Sequence, residues 1–181
     1  MRIDLGNCLI RSFENGDAAS IAKNANNKKV WINLRDRFPN PYTVRDAEEW
    51  IDLARCLDPE SNFAIAVDGQ VVGGVGILQQ SDVHACSAEF GYWLGEAYWG
   101  RGIMTTVVRH MAPWYLKHFD LIRLYATIFA WNPASAKVLE KNDWEYEGRL
   151  KNSVYKDGKL CDQLVYAIFD QTKLKLHRKG D

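Results

Sequence analysis

Cysteine is scarce in this chain, and what there is does not pair. Cys8, Cys56, Cys86 and Cys161 are the four among 181 residues, with no C-x-x-C pair and no His/Cys cluster at zinc spacing. No metal is expected, and free thiols in a reducing compartment are the simplest account. Long apolar runs are also missing, so no membrane span is expected. Met1-Arg2-Ile3-Asp4-Leu5 lacks the apolar core of a signal peptide, and a cytoplasmic location is expected. Net charge is absent too: Lys+Arg and Asp+Glu are both 23. That balance gives no support for a nucleic-acid or membrane-surface partner. Charge of one sign gathers only at the end, Lys173 to Lys179, inside a basic tail at 171–181 read as a solvated terminus. Repeats, linkers and low-complexity stretches are lacking as well.

What is present suffices for one good-sized core. The chain is 47% hydrophobic and 12% aromatic, which excludes disorder and fits a single domain over 1–181. Asp17 stands where a helix to about Asn26 would be capped. Pro39-Asn40-Pro41 ends a mixed segment holding Val30, Ile32, Leu34 and Phe38. Thr43 resembles an N-cap with Asp46 as a partial capping box, and Trp50, Leu53, Ala54 and Leu57 give the next helix its apolar face. Phe63 to Val67 and Val71 to Leu78 read as strands joined at Asp68-Gly69. Gly73, Gly74 and Gly76 in the second suggest a close backbone approach. A strand at Ala85 to Leu94 leads into a helical pattern from Gly102 to Phe119, which Pro113 should kink or end early. Ile122 to Phe129 is a strand, Pro133 opens a helix to about Lys141, and Lys156-Asp157-Gly158-Lys159 joins two closing strands. The order of elements makes a mixed α/β layer structure.

The chemistry gathers between Glu89 and Ser135. A strand ending at Leu94 meets Tyr98-Trp99-Gly100-Arg101-Gly102 and then a helix start at Ile103. A helix N-terminus offers N–H groups without internal partners at the positive end of its dipole, and glycine lets a ligand come close. This predicts a cradle for a pyrophosphate. The loop is neither G-x-G-x-x-G, since Thr105 fills the last glycine position, nor a Walker A loop. Asn132-Pro133-Ala134-Ser135 opens a second helix that would hold another part of the same ligand.

Residues 85 to 169 resemble the GNAT superfamily of N-acetyltransferases, most closely the RimJ/RimL branch that acetylates ribosomal-protein N-termini. The resemblance rests on Ala88 to Leu94, Tyr98 to Thr105, Asn132 to Lys141, Glu145 to Arg149, and Tyr155 to Gly158 with Asp162. The first 60 residues resemble the family only loosely. Trp99 and Met104 occupy the ends of a loop that in the superfamily usually reads Gln/Arg-x-x-Gly-x-Gly/Ala. Thr106 stands where the branch often has Glu. Asn142-Asp143-Trp144 replaces the usual Lys/Leu-Gly-Phe, so the helix is expected to stop on Asn142 in a left-handed conformation.

The resemblance implies a GNAT fold: a mixed, mostly antiparallel sheet of six to seven strands with splayed central parallel strands, flanked by helices. Acetyl-CoA would lie between Glu89–Leu94 and Ile122–Phe129 as co-substrate. Backbone groups at Trp93 and Leu94 would bind the pantetheine arm. Trp99, Gly100, Arg101, Gly102, Ile103, Met104 and Thr105 would wrap the pyrophosphate, and Asn132 and Ser135 would contact the arm. The acceptor would be an amine, as a peptide N-terminus or a small molecule, lined by Arg35, Phe38 and Tyr42. The enzyme would act as monomer or homodimer.

Attack on a thioester needs a neutral amine, so a group must take its proton. Glu89 is the candidate, against an exposed strand carboxylate or a structural ion pair. Many superfamily members protonate the leaving thiolate with a Tyr seven residues after the Asn, where this chain has Leu139. Ser135 is the substitute, with Tyr146 second, and Ser135 is equally read as a helix cap. Two rivals stand beside the transferase: an acyl-CoA sensor without turnover, and a nucleotide-dependent oxidoreductase, which lacks its ribose-binding acid after Phe129.

Overall fold

The computed structural model describes residues 1–177 of the chain. It divides into two compact units, one built from Met1–Gly76 with Tyr92–Val107, the other from Ile77–Gly91 with Val108 onward.

In the first unit, β1 (Arg2–Asp4) pairs antiparallel with β2 (Leu9–Arg11), β2 with β3 (Asn62–Val67), and β3 with β4 (Gln70–Gln79). The β3–β4 turn places Asp68 at φ 49° and Gly69 at φ 77°, both left-handed, as a two-residue hairpin requires. The register slips between Ile65 and Ala66, a bulge in β4. The glycines of β4 sit where side chains cannot. A Cβ on Gly73 would lie 2.4 Å from the carbonyl oxygen of Trp93, and one on Gly74 would lie 2.9 Å from its indole nitrogen.

Helices α1 (Ala18–Ala25) and α3 (Val44–Arg55) bury small and branched side chains in one core with Phe13, Tyr42, Ala64 and Val71; the short α2 spans Lys28–Trp31. The capping box at α3 forms as the sequence predicts: Asp46 N–H donates to the Thr43 hydroxyl at 3.2 Å, and Thr43 N–H to the Asp46 carboxylate at 2.7 Å. Its apolar face differs from the expected one. Ala47, Ile51 and Ala54 are buried with Trp50 against them, whereas Leu53 is 58% exposed and Leu57 is exposed. The i, i+4, i+7 row starting at Ala47 wins because the helix packs closely enough to select alanine.

Asp17 precedes α1 but does not cap it. Its buried carboxylate takes two hydrogen bonds from the Arg11 guanidinium, at 2.7 and 2.6 Å, and one from Glu14 N–H at 2.8 Å.

In the second unit, the start of β5 (Ser87–Leu94) pairs parallel with β6 (Arg123–Phe129), from Ser87↔Arg123 to Glu89↔Tyr125. Then β6 pairs antiparallel with β8 (Lys159–Phe169), and β8 with β7 (Glu145–Lys156). Asp157 and Gly158 make the β7–β8 turn at φ 50° and 78°. Phe90 on β5 packs on Tyr115 and Trp144, with ring centroids 5.9 and 5.4 Å away. Eight strands occur among the described residues; the addition to the expected six or seven is the three-residue β1.

Three local expectations change here. Helix α4 (Ile103–His118) does not end at Pro113. Pro113 and Arg109, whose carbonyl the proline leaves without an N–H donor, are both exposed, so the lost bond falls on the solvent side of the helix. Helix α5 (Pro133–Glu140) stops with Asp143, not Asn142, in the left-handed conformation at φ 60°; the Asn142 amide instead donates to Val138 O at 2.7 Å. The basic tail is not simply solvated. It begins as α6 (Gln171–His177), and the Lys173 ammonium donates to the Leu116 and Leu121 carbonyls at 3.2 Å each and pairs with Asp120 at 2.7 Å. Lys179 lies outside the described residues.

Candidate active site

In the first unit the chain leaves β5 at Leu94 and turns through a short 3₁₀ segment, Glu96–Tyr98. Gly95 N–H donates to Val72 O at 2.8 Å, anchoring the turn on β4. Gly100 and Gly102 then adopt φ 73° and 75°, which side-chain-bearing residues rarely tolerate. No heavy atom lies within 4 Å of where a Cβ would stand on either. The loop therefore presents bare backbone to open space.

α4 begins at once. Its first intrahelical bond is donated by Thr106 N–H to Gly102 O at 3.0 Å. The N–H groups of Ile103 and Met104, a turn earlier, project from the positive end of the helix. Both side chains turn inward, at 3% and 8% exposure. Met104 thus puts its bulk into the core rather than into the path of the loop. Trp99 and Arg101 brace the structure: the indole N–H donates to Leu94 O at 2.7 Å, and the guanidinium lies 5.1 Å over the Tyr98 ring. Open space at two glycines, outward N–H groups and an exposed cation fit the diphosphate of coenzyme A.

The same unit collects three aromatic side chains. Phe38 lies 4.7 Å from Tyr42 and 5.7 Å from Trp93, centroid to centroid. Tyr42 is buried, and burial first, then the Asp46 charge, pushes its phenol up to about 12. Arg35 is exposed and joins this group through its carbonyl, which accepts from Phe38 N–H at 3.0 Å.

In the second unit Glu89 is half-buried on β5, and its carboxylate accepts a hydrogen bond from the Thr127 hydroxyl on β6 at 3.0 Å. Asn132 caps α5: its side-chain oxygen accepts from Ser135 N–H at 3.2 Å, with Pro133 in the first turn. Ser135 is half-buried. Leu139 is fully buried, so the position of the superfamily's Tyr belongs to the core. Tyr146 is 55% exposed, its ring 5.4 Å from Tyr166. Tyr166 is the tyrosine held more tightly: burial and then Glu140, which accepts its hydroxyl at 2.9 Å, push its phenol up to about 12.

Sequence reasoning missed Thr127. The alternation of β6 puts Arg123, Tyr125 and Thr127 on one face, but only the register Glu89↔Tyr125 shows that this face is Glu89's. No group of three or more His, Cys, Asp and Glu able to hold a metal occurs among the described residues, and no helix among them is long and apolar enough to cross a membrane.

A family profile described as acetyltransferase (GNAT) domain matches residues 7–145. The probable N-acetyltransferase YjcK of Bacillus subtilis is 33% identical over 115 residues, covering 62% of this chain and 64% of YjcK, so the match spans just under two thirds of that relative. The L-amino acid N-acetyltransferase AaaT of Escherichia coli is 29% identical over 160 residues, 88% of this chain and 96% of AaaT. Among solved structures, RimL, a ribosomal L7/L12 alpha-N-protein acetyltransferase in complex with coenzyme A, superposes with a TM-score of 0.81 at 20% identity, covering 93% of this chain and 98% of RimL. At that identity the likeness is one of fold: mixed α/β, mostly antiparallel with one parallel pair, helices on the flanks. These matches displace the oxidoreductase alternative.

Proposed function

The chain belongs to the GNAT acetyltransferase family, and on that premise we propose that it transfers the acetyl group of acetyl-CoA directly to a primary amine. The observation that carries this reading is the Gly100–Gly102 loop, left-handed at both glycines and running straight into α4. Bound there, acetyl-CoA supplies an activated thioester. Backbone N–H groups from Gly102 to Thr105 hold the diphosphate, with Gly100 giving clearance and Arg101 adding charge. Backbone groups of Trp93 and Leu94 align the pantetheine arm and polarise the thioester carbonyl. Trp99 holds the loop on the strand end. Asn132 and Ser135 contact the arm from the start of α5.

Glu89 removes the proton from the attacking amine, because a protonated nitrogen has no lone pair to offer. Ser135 returns a proton to the departing thiolate, with Tyr146 as the second candidate. Arg35, Phe38 and Tyr42 line the acceptor, which is a peptide N-terminus or a small amine. The name RimL bears states the first chemistry, and AaaT's name a form of the second. We place this activity in the cytoplasm, in a monomer or homodimer forming one acetyltransferase domain.

The test is a thiol-release assay with acetyl-CoA and a panel of amino acids, polyamines and N-terminal peptides, run on the wild type and Glu89→Gln. Amine-dependent release that drops about 10²-fold or more in Glu89→Gln supports both the reaction and the base. Release at an unchanged rate removes Glu89 from the mechanism. Leu139, buried where the superfamily has its Tyr, favours a second reading, an acyl-CoA sensor; it predicts tight acetyl-CoA binding with no amine in the panel turned over.

A further inference from the structure

The reading of Glu89 as proton acceptor leaves open what fixes its carboxylate, and this inference rests on that reading. We propose that Thr127 is a positioning residue for the reaction: its hydroxyl, donating at 3.0 Å, aims the Glu89 carboxylate and keeps one of its oxygens engaged.

Three observations support this. The ladder pairs Glu89 with Tyr125 in a parallel register, so Thr127, two residues on, shares the Glu89 face of the sheet. Both residues are half-buried, so bulk water competes weakly for the bond. Thr127 is β-branched and sits in a strand, which restricts χ1 and holds the hydroxyl oxygen in place beside the carboxylate. A glutamate has three side-chain torsions, and unheld it would sample many orientations beside an amine. A donor held in place cuts that freedom, as the third member of a nucleophile–base–orienter set does. The other charged group on this face of β6 has a different partner. Arg123 bonds Glu147 on β7 and lies 4.7 Å over the Tyr125 ring.

Thr127 touches neither substrate nor cofactor in this scheme. Its effect passes through Glu89, and that separates it from a residue that merely packs. The variants are Thr127→Val, which keeps the shape and removes the hydroxyl, and Thr127→Ser, which keeps the hydroxyl. Each is made in the wild type and in Glu89→Gln. The readouts are kcat and the acetyl-CoA KM with the panel amine of highest turnover, together with the thermal midpoint. Thr127→Val is expected to lower kcat about tenfold, part of the ~10²–10⁴-fold that a placed base contributes, with KM within about twofold. Thr127→Ser is expected to restore most of the loss. In the Glu89→Gln background Thr127→Val should cost nothing further, because the group it positions is gone.

Full activity of Thr127→Val beside a crippled Glu89→Gln overturns the proposal and spares Glu89 as base. An equal further loss in the Glu89→Gln background also overturns it, by showing that Thr127 acts elsewhere. If Glu89→Gln is itself fully active, the reading beneath fails and the inference falls with it. Should Thr127→Val unfold, Thr127→Ser decides: kcat well below wild type in a folded Ser variant contradicts the proposal.

Discussion

Trp99 and Leu94 are joined by one hydrogen bond, indole N–H to backbone carbonyl at 2.7 Å, across the turn that leads into the glycine loop. The bond ties that loop to the end of β5. On the proposed function it makes Trp99 a brace for the backbone that would receive the diphosphate. Trp99→Phe keeps an aromatic ring and removes the donor. A net hydrogen bond is worth ~1 kcal/mol, so coenzyme A should bind about fivefold more weakly. Isothermal titration checks this, and unchanged affinity would mean that the loop holds its shape without the brace.

Two glycine substitutions separate binding from folding. Gly102→Ala places a side chain at φ 75° with no neighbour within 4 Å. The left-handed backbone costs ~1–2 kcal/mol. On the proposed function, coenzyme A affinity should fall further than stability does, because the new methyl would enter the open space assigned to the ligand. Gly73→Ala has the opposite profile. Its Cβ would meet the Trp93 carbonyl oxygen at 2.4 Å, a backbone atom that cannot rotate away. A stability loss of ~3 kcal/mol is expected from such overpacking. Urea unfolding of the two variants, beside coenzyme A titrations, gives the comparison.

The buried Arg11–Asp17 pair makes a sharper demand on stability. Both side chains are under 10% exposed, and the two bonds are parallel and short. Asp17→Ala takes from the buried guanidinium the carboxylate it bonds twice, leaving as charge partner only the exposed Glu14 at 3.7 Å. Loss of ~3–5 kcal/mol is expected, while a double change to well-packed apolar residues should recover much of it. Chemical denaturation measures both.

Alkaline pH should erode the fold through three buried groups, Cys8, Tyr42 and Tyr166. Burial first, then Asp4, pushes the Cys8 thiol up from 9.0 to about 11, and burial with Asp46 pushes Tyr42 up from 10.0 to about 12. Burial with Glu140 does the same to Tyr166, from 10.0 to about 12. Each folded group holds its proton more tightly than the unfolded chain does, so the stability it gives is complete below the unfolded value. It is lost as pH rises from about 9 for Cys8 and about 10 for Tyr42 and Tyr166 towards their raised values. Unfolding free energies from pH 8 upward should fall through that window, and Cys8→Ala should flatten the lower part of it. At neutral pH a thiol reagent should label the exposed Cys56 and Cys86 well before the buried Cys8 and Cys161.

Local signals in the sequence carried most of the fold. Asp68-Gly69 and Asp157-Gly158 announce their turns because two left-handed residues suit that pair of residue types and few others. The capping box at Thr43 is equally local. What depends on a partner far along the chain was not legible. Asp17 looks like a cap until Arg11 is seen to claim its carboxylate. Leu53 and Leu57 look like core until the helix is seen to pack through its alanines. The loop at Gly100 could be read because strand, glycines and helix start follow one another directly. Thr127 could not, since its bond to Glu89 exists only through a strand register that no spacing in the sequence encodes.

The most direct test follows the acetyl group itself. Acetyl-CoA carrying an isotopic label in its acetyl carbons is incubated with the protein and the amine panel, and the amines are weighed by mass spectrometry. The account predicts one labelled acetyl group on the nitrogen of at least one primary amine, matched by an equal amount of released coenzyme A. Tight binding of acetyl-CoA with no labelled amine from any member of the panel would contradict it.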